Sequence, residues 1–191
     1  MKKLTVKVEK DHYSMPARRF MLWLSMAGSS LVFGALIVAH AILTMAPGWE
    51  TFPVPLVFFL SSGLILMSSY TMHQARLYAE MDELDRLKQY IDWTLILGLM
   101  FTLFQVLGWA EMIDAYQQTG IRNAVAFIYL LSGLHLLHAI GGLAYLGYTT
   151  FQAHYFRVHK KSMQLIEDCG AYWHFLDVVW VVVFVFLWIF N

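Results

Sequence analysis

The sequence predicts an all-α polytopic membrane protein: a five-transmembrane-helix bundle with its N-terminus inside and its C-terminus outside. Three observations predict it. Of 191 residues, 59% are hydrophobic and 14% charged, and the apolar excess falls in blocks of about 20 residues, long enough to cross a bilayer as helix. The basic residues lie between blocks, on alternate sides. Apart from Arg122, all of the 13 Lys and Arg lie in the N-terminal tail, in the loop after the second span or in the loop after the fourth, and an excess of these residues marks the cytoplasmic side. The last block holds a histidine and a carboxylate, His174 and Asp177, within an apolar run from Ala171 to Phe190.

Residues 1–19 form a cytoplasmic tail. Lys2, Lys3, Lys7, Glu9, Lys10 and Asp11 make it too charged for the apolar region of a signal peptide, so the first span is expected to be retained. Residues 20–191 form a single membrane domain. Its first span, 20–45, is entered at Arg18 and Arg19; the turn Pro47-Gly48-Trp49 puts an indole at the interface and leads to a second span, 54–73. Between Gln74 and Asp92 the chain turns polar. Leu77, Met81, Leu84 and Leu87 recur at helical spacing, and Arg76 and Glu80 form an i, i+4 pair, so the second helix is expected to continue beyond the membrane into a solvated elbow. The third span, 93–113, ends in a polar turn from Asp114 to Asn123. The fourth, 124–150, precedes a basic loop with His154, Arg157, His159, Lys160 and Lys161, and the fifth covers 170–190. Cys169 is the only cysteine, which rules out an intrachain disulfide, a thiolate cluster or a two-cysteine copper site. Zero formal net charge argues neither for nor against nucleic acid, but basic residues in loops that alternate with apolar spans are a membrane pattern, and no nucleic-acid partner is implied.

An Asp near the middle of a spanning helix is disfavoured by about 2.5–3.5 kcal/mol, so Asp177 calls for a partner. At about 100° per residue, Gly170, Trp173, His174, Asp177, Trp180, Val181, Phe184 and Trp188 share one side of the last helix. That side is expected to face protein. The opposite side, Phe175, Val178, Val179, Val182, Val183, Phe186 and Ile189, is expected to face lipid. In span four His135 and His138 share a face with Gly142, and Gly133, Ala139 and Gly141 offer small surfaces for neighbouring helices. Span three carries Thr94, Gly98, Thr102, Gln105 and Trp109 in one arc, and span one carries Ser25, Ser29 and His40 on one side.

Four readings of this interior stay open. Bis-histidine haem ligation needs imidazoles on opposite faces of the porphyrin. His135 and His138, one turn apart on one helix, cannot supply that, although either could with His174. A non-haem metal site from His135, His138, His174 and Asp177 has suitable ligand types but lacks the Glu-x-x-His pairs of di-iron bundles. A proton relay suits histidine and carboxylate at membrane depth, with Asp177 as the only carboxylate well inside a span. The fourth reading is structural: the imidazoles, Asp177 and the indoles of Trp173 and Trp180 hydrogen-bond between helices or seat lipid head groups.

Tyr172-Trp173-His174-Phe175-Leu176-Asp177-Val178-Val179-Trp180, with Ser132-Gly133-Leu134-His135-Leu136-Leu137-His138 one helix earlier, resembles the paired signatures of subunit III of the haem-copper terminal oxidases. The resemblance extends across all five spans, from the aromatic entry Phe20-Met21-Leu22-Trp23 to Gln105 and Trp109 in span three, and the length resembles the shorter bacterial five-helix members. There are departures. Leu136 stands where the family commonly has a small residue, Ser29 where it often has a carboxylate linked to proton uptake, and Gly108 where relatives tend to be acidic, with Glu111 nearer the membrane edge.

The resemblance implies an accessory subunit in the bacterial inner membrane, without haem or copper of its own. Those cofactors would lie in partner subunits of a proton-pumping oxygen reductase of aerobic respiration. The partners it implies are the catalytic subunit I, phospholipids and a companion chain of the subunit IV kind. Trp173, His174, Asp177, Trp180, His135, His138 and Gln105 would hold the bundle and its lipids. Cytochrome c oxidase is the expected complex, with quinol oxidase as the alternative. An independent transporter or proton channel using the His/Asp interior is the competing class.

Overall fold

The computed structural model describes residues 17–51, 53–119 and 123–190. Most of the expected N-terminal tail and the centre of the turn after span three lie outside the described residues. Five helices follow in order: α1 (Ala17–Thr44), α2 (Leu56–Glu80), α3 (Leu84–Thr119), α4 (Asn123–His154) and α5 (Gln164–Phe190). All five are long and apolar enough to cross a membrane, and there is no strand among the described residues.

Each of α2, α3, α4 and α5 packs on the next, and α5 closes the ring against α2. Helix α1 stands outside this ring, against α5 and more lightly against α4, and among the described residues it makes no contact with α2. One hydrophobic core runs through the bundle, centred on Ile65, Met72, Phe101, Ile128, Trp173 and Trp180.

The polar elbow is two helix ends rather than one continuous helix. Helix α2 stops at Glu80 in a motif in which the Asp82 and Glu83 N–H groups donate to the Ala79 and Tyr78 carbonyls, with Asp82 at φ 64°. That left-handed residue turns the chain into α3. Met81, expected on the apolar stripe, is therefore a cap residue and 61% exposed. The expected Arg76–Glu80 pair forms at 3.1 Å. Helix α4 ends the same way: Phe156 and Arg157 N–H groups donate to Ala153 and Gln152, with Phe156 at φ 56°.

The basic segments gather at one end of the bundle. Arg19 reaches Glu167 (3.5 Å) and Asp168 (3.3 Å), the Lys160 N–H donates to Asp82, His154 pairs with Asp92 (3.0 Å), and the Lys88 ammonium sits 3.6 Å from the Phe156 ring centroid.

The expected two-sided division of α5 is corrected. Val183 and Phe186, assigned to the lipid side, are buried, and Trp188, assigned to the protein side, is 59% exposed. The reason is the number of neighbours. Helix α5 touches α1, α2 and α4, so its covered arc is wider than half a turn; Phe186 meets His40 of α1 at 5.3 Å. The open arc narrows to residues such as Val178, Val182 and Ile189.

Candidate functional site: the interhelical polar layers

Helix α2 supplies two serine pairs, Ser61-Ser62 and Ser68-Ser69, two turns apart, and they receive most of the polar groups from the other helices. The Trp173 indole N–H donates to Ser68 Oγ (2.9 Å), whose hydroxyl donates to the Thr94 carbonyl on α3 (3.3 Å). Trp180 repeats this on Ser62 (2.9 Å), and Gln105 Nε2 donates to Ser61 (2.9 Å). Ser61 and Ser62 both donate back to the Phe58 carbonyl. Each of these hydroxyls thus accepts from one helix while its own proton is satisfied, which makes serine a compact junction in a medium without water. On the far side, the Trp109 indole donates to Ser132 Oγ (3.0 Å), and the Tyr129 hydroxyl to the Trp109 carbonyl (2.6 Å).

The helices approach closely because glycines face the indoles. A Cβ on Gly98 would lie 2.7 Å from the Trp173 ring, and one on Gly142 would lie 2.5 Å from Leu176 and 3.4 Å from Trp173. Gly108 faces Phe58 at 3.2 Å on the same construction, so a longer side chain there would run into the α2 ring. This accounts for glycine where the resemblance suggests an acid. Gly141, expected to offer a packing surface, has nothing within 4 Å and is corrected to an outward position.

The three candidate histidines go to three different surroundings. His138 Nδ1 lies 2.8 Å from the Leu134 carbonyl, which can only accept, so Nε2 accepts from the Ser29 hydroxyl at 3.1 Å and ties α4 to α1. His174 Nδ1 lies 2.7 Å from Ser69 Oγ and 3.7 Å from Asp177 Oδ2. His135 is fully buried among Trp180 (5.1 Å), Phe101 (5.8 Å) and Phe33 (6.4 Å), and neither ring nitrogen has a hydrogen-bond partner among the described residues. Asp177 is 3% exposed and likewise lacks a hydrogen bond. No three His, Cys, Asp or Glu side chains converge among the described residues as a metal site would need. In span one, Ser25 is exposed and bonds back to Leu22, while His40 is enclosed by Trp49, Phe127 and Phe186.

Sequence reasoning missed the α2 serines. The available signal was their spacing: two Ser-Ser pairs seven residues apart, opposite Trp173 and Trp180, also seven apart on an antiparallel helix.

Fold and site together define a multi-pass helical membrane protein whose interior is built from interhelical hydrogen bonds and close helix contacts. The chain belongs to the cytochrome c oxidase subunit III family, whose family model matches residues 29–191. It is similar to "Cytochrome bo(3) ubiquinol oxidase subunit 3" of Buchnera aphidicola subsp. Schizaphis graminum, with 23% identity over 89% of this chain and 92% of that one. It is also similar to the proteins named "Probable quinol oxidase subunit 3" of Staphylococcus haemolyticus and Staphylococcus aureus, at 26% and 28% identity, each over 85% of this chain and 83% of theirs. It is thus an accessory subunit III of a haem-copper oxidase, a multi-pass bacterial membrane protein that belongs in a complex with a catalytic subunit.

Proposed function

We propose that this chain is a scaffold subunit without a redox centre in a proton-pumping, quinol-fed oxygen reductase, docked on the subunit that carries haem and copper. The observation that carries the scaffold reading is the α2 junction, where Trp173, Trp180 and Gln105 are all tied to serines of one helix. Quinol as donor, in place of the expected cytochrome c, is supported by the names of relatives aligned over 83–92% of their own length.

The gathering of basic segments at one end supports an orientation with that end, and the N-terminus, in the cytoplasm. An apolar groove of about 300 Å³ between α1 and α5, walled by Phe33, Gly34, Ile37, Val178 and Val182, suits a phospholipid acyl chain. A companion chain of the subunit IV kind is a further partner of this reading.

Co-purification from native membranes tests the proposal. The expected result is a haem-copper subunit in the eluate, oxygen uptake with quinol and not with reduced cytochrome c, and a haem spectrum unchanged when Ser62 and Ser68 are both replaced by Ala while this chain is retained less well. A haem band carried by this chain alone, or its isolation without an oxidase core, overturns it.

A further inference from the structure

At the end of the bundle where the basic segments gather, a polar pocket of about 190 Å³ opens between α2, α5 and the start of α1. Its walls include Arg19, Arg76, Glu167, Gly170 and His174. The charges around it are already matched: Arg19 pairs with Glu167 and Asp168, and Arg76 with Glu80. Among the described residues such a pocket has no surplus positive charge with which to recruit an anion, and at several times the roughly 30 Å³ share of one water molecule it has room for a few waters.

His174 forms part of the wall, its side chain 39% exposed, and Asp177 lies one turn deeper with its side chain 4% exposed. The imidazole lies 3.7 Å from the carboxyl group through Nδ1, and Ser69 holds that same nitrogen at 2.7 Å. An anion at Asp177 would be a buried charge with no hydrogen bond among the described residues, an arrangement that proteins avoid by binding a proton. Deeper into the bundle the path ends. Trp180, the next polar group along α5, commits its N–H to Ser62, and His135 is shut in by aromatic rings.

We propose that Ser69, His174 and Asp177 form a one-ended proton-exchange site, in which Asp177 stores a proton at bilayer depth and trades it with water in the pocket through the His174 imidazole. Ser69 orients the ring. In the outward step the Asp177 carboxyl closes on Nδ1 by about 1 Å to hydrogen-bond length, displaces the Ser69 hydroxyl from that nitrogen's single acceptor site and transfers its proton. The ring's other nitrogen releases one to pocket water, leaving Asp177 as a carboxylate and the water protonated; refilling is the reverse. The proposal goes beyond the scaffold reading and does not depend on it.

The test is infrared spectroscopy of the intact purified complex on transfer into D2O. The expected result is a carboxylic C=O band that shifts on exchange, is absent in Asp177→Asn and is displaced but retained in Asp177→Glu, the variant that keeps a carboxyl group if the Asn form fails to assemble. In His174→Gln, which can still bond Ser69 but cannot relay a proton, the exchange should slow at least about tenfold. Absence of any band sensitive to position 177 overturns the stored proton, and an unchanged rate in His174→Gln overturns the route. Neither outcome bears on whether haem and copper subunits accompany the chain.

Discussion

Replacing Gly98 by Ala is the sharpest perturbation of the interior. The added methyl would sit 2.7 and 2.8 Å from two carbons of the Trp173 ring and 2.9 Å from Leu143 Cδ2, whereas carbon contacts are comfortable at about 3.5–4.0 Å. Leu143 can turn its methyl aside. Trp173 cannot, because its ring is 2% exposed, lies against Gly142 on the other side and is bonded to Ser68. Over-packing of this kind costs about 1–3 kcal/mol. Losing the indole hydrogen bond adds about 1 kcal/mol, and the better helix propensity of Ala returns up to about 1 kcal/mol. The net expectation is a loss of about 1–3 kcal/mol. Gly141→Ala gains the same helix propensity with nothing within 4 Å of the new methyl, so it should be neutral or slightly stabilising. The assay is unfolding from mixed micelles by a denaturing detergent, followed by helix content, with the two variants side by side. Equal midpoints for Gly98→Ala and Gly141→Ala would refute the close three-helix contact at Trp173.

Three further outcomes are expected. A double-mutant cycle on Ser62→Ala and Trp180→Phe should give a coupling of about 0.6 kcal/mol and no more than about 1.7 kcal/mol, the range for hydrogen bonds between membrane helices; zero coupling would remove that bond from the account. His135→Leu should leave the unfolding midpoint unchanged or raise it, since among the described residues neither ring nitrogen makes a hydrogen bond to lose, while His138→Leu should lower it through loss of the Ser29 and Leu134 contacts. Phe156→Gly should stabilise the α4 terminus in hydrogen-exchange measurements. A left-handed conformation costs a residue with a side chain about 1–2 kcal/mol, more than the roughly 0.5–1 kcal/mol of an exposed cation–π contact such as that with Lys88.

The five spans were legible because each is a block of about 20 predominantly apolar residues, and the inward direction of Trp173 and Trp180 followed from their sharing an arc with Asp177. What stayed hidden has physical reasons. Serine carries no charge and can satisfy its hydroxyl on its own helix, as Ser61 and Ser62 do on Phe58, so it sits in an apolar run without raising the alarm that Asp177 raises. Periodicity gives a residue's angle around its helix but not how many neighbours surround that helix, which is why Val183 and Phe186 were misassigned. Gly141 and Gly142 are adjacent, and only the rotation of α4 against α5 decides which of them is pressed against a side chain. The seclusion of His135 depended on Phe33, Phe101 and Trp180 arriving from three separate helices.

Because α1 rests on α4 and α5 and, among the described residues, does not touch α2, the order of synthesis and the order of assembly differ. A nascent chain delivers α1 to the bilayer first, yet its docking surface is complete only once α5 has been inserted. Ser29 gains His138 when α4 arrives, but until α5 follows His40 lacks Phe186 to cover it. Of these five helices the first to emerge is thus the last to be seated, and its docking reports that α5 has arrived.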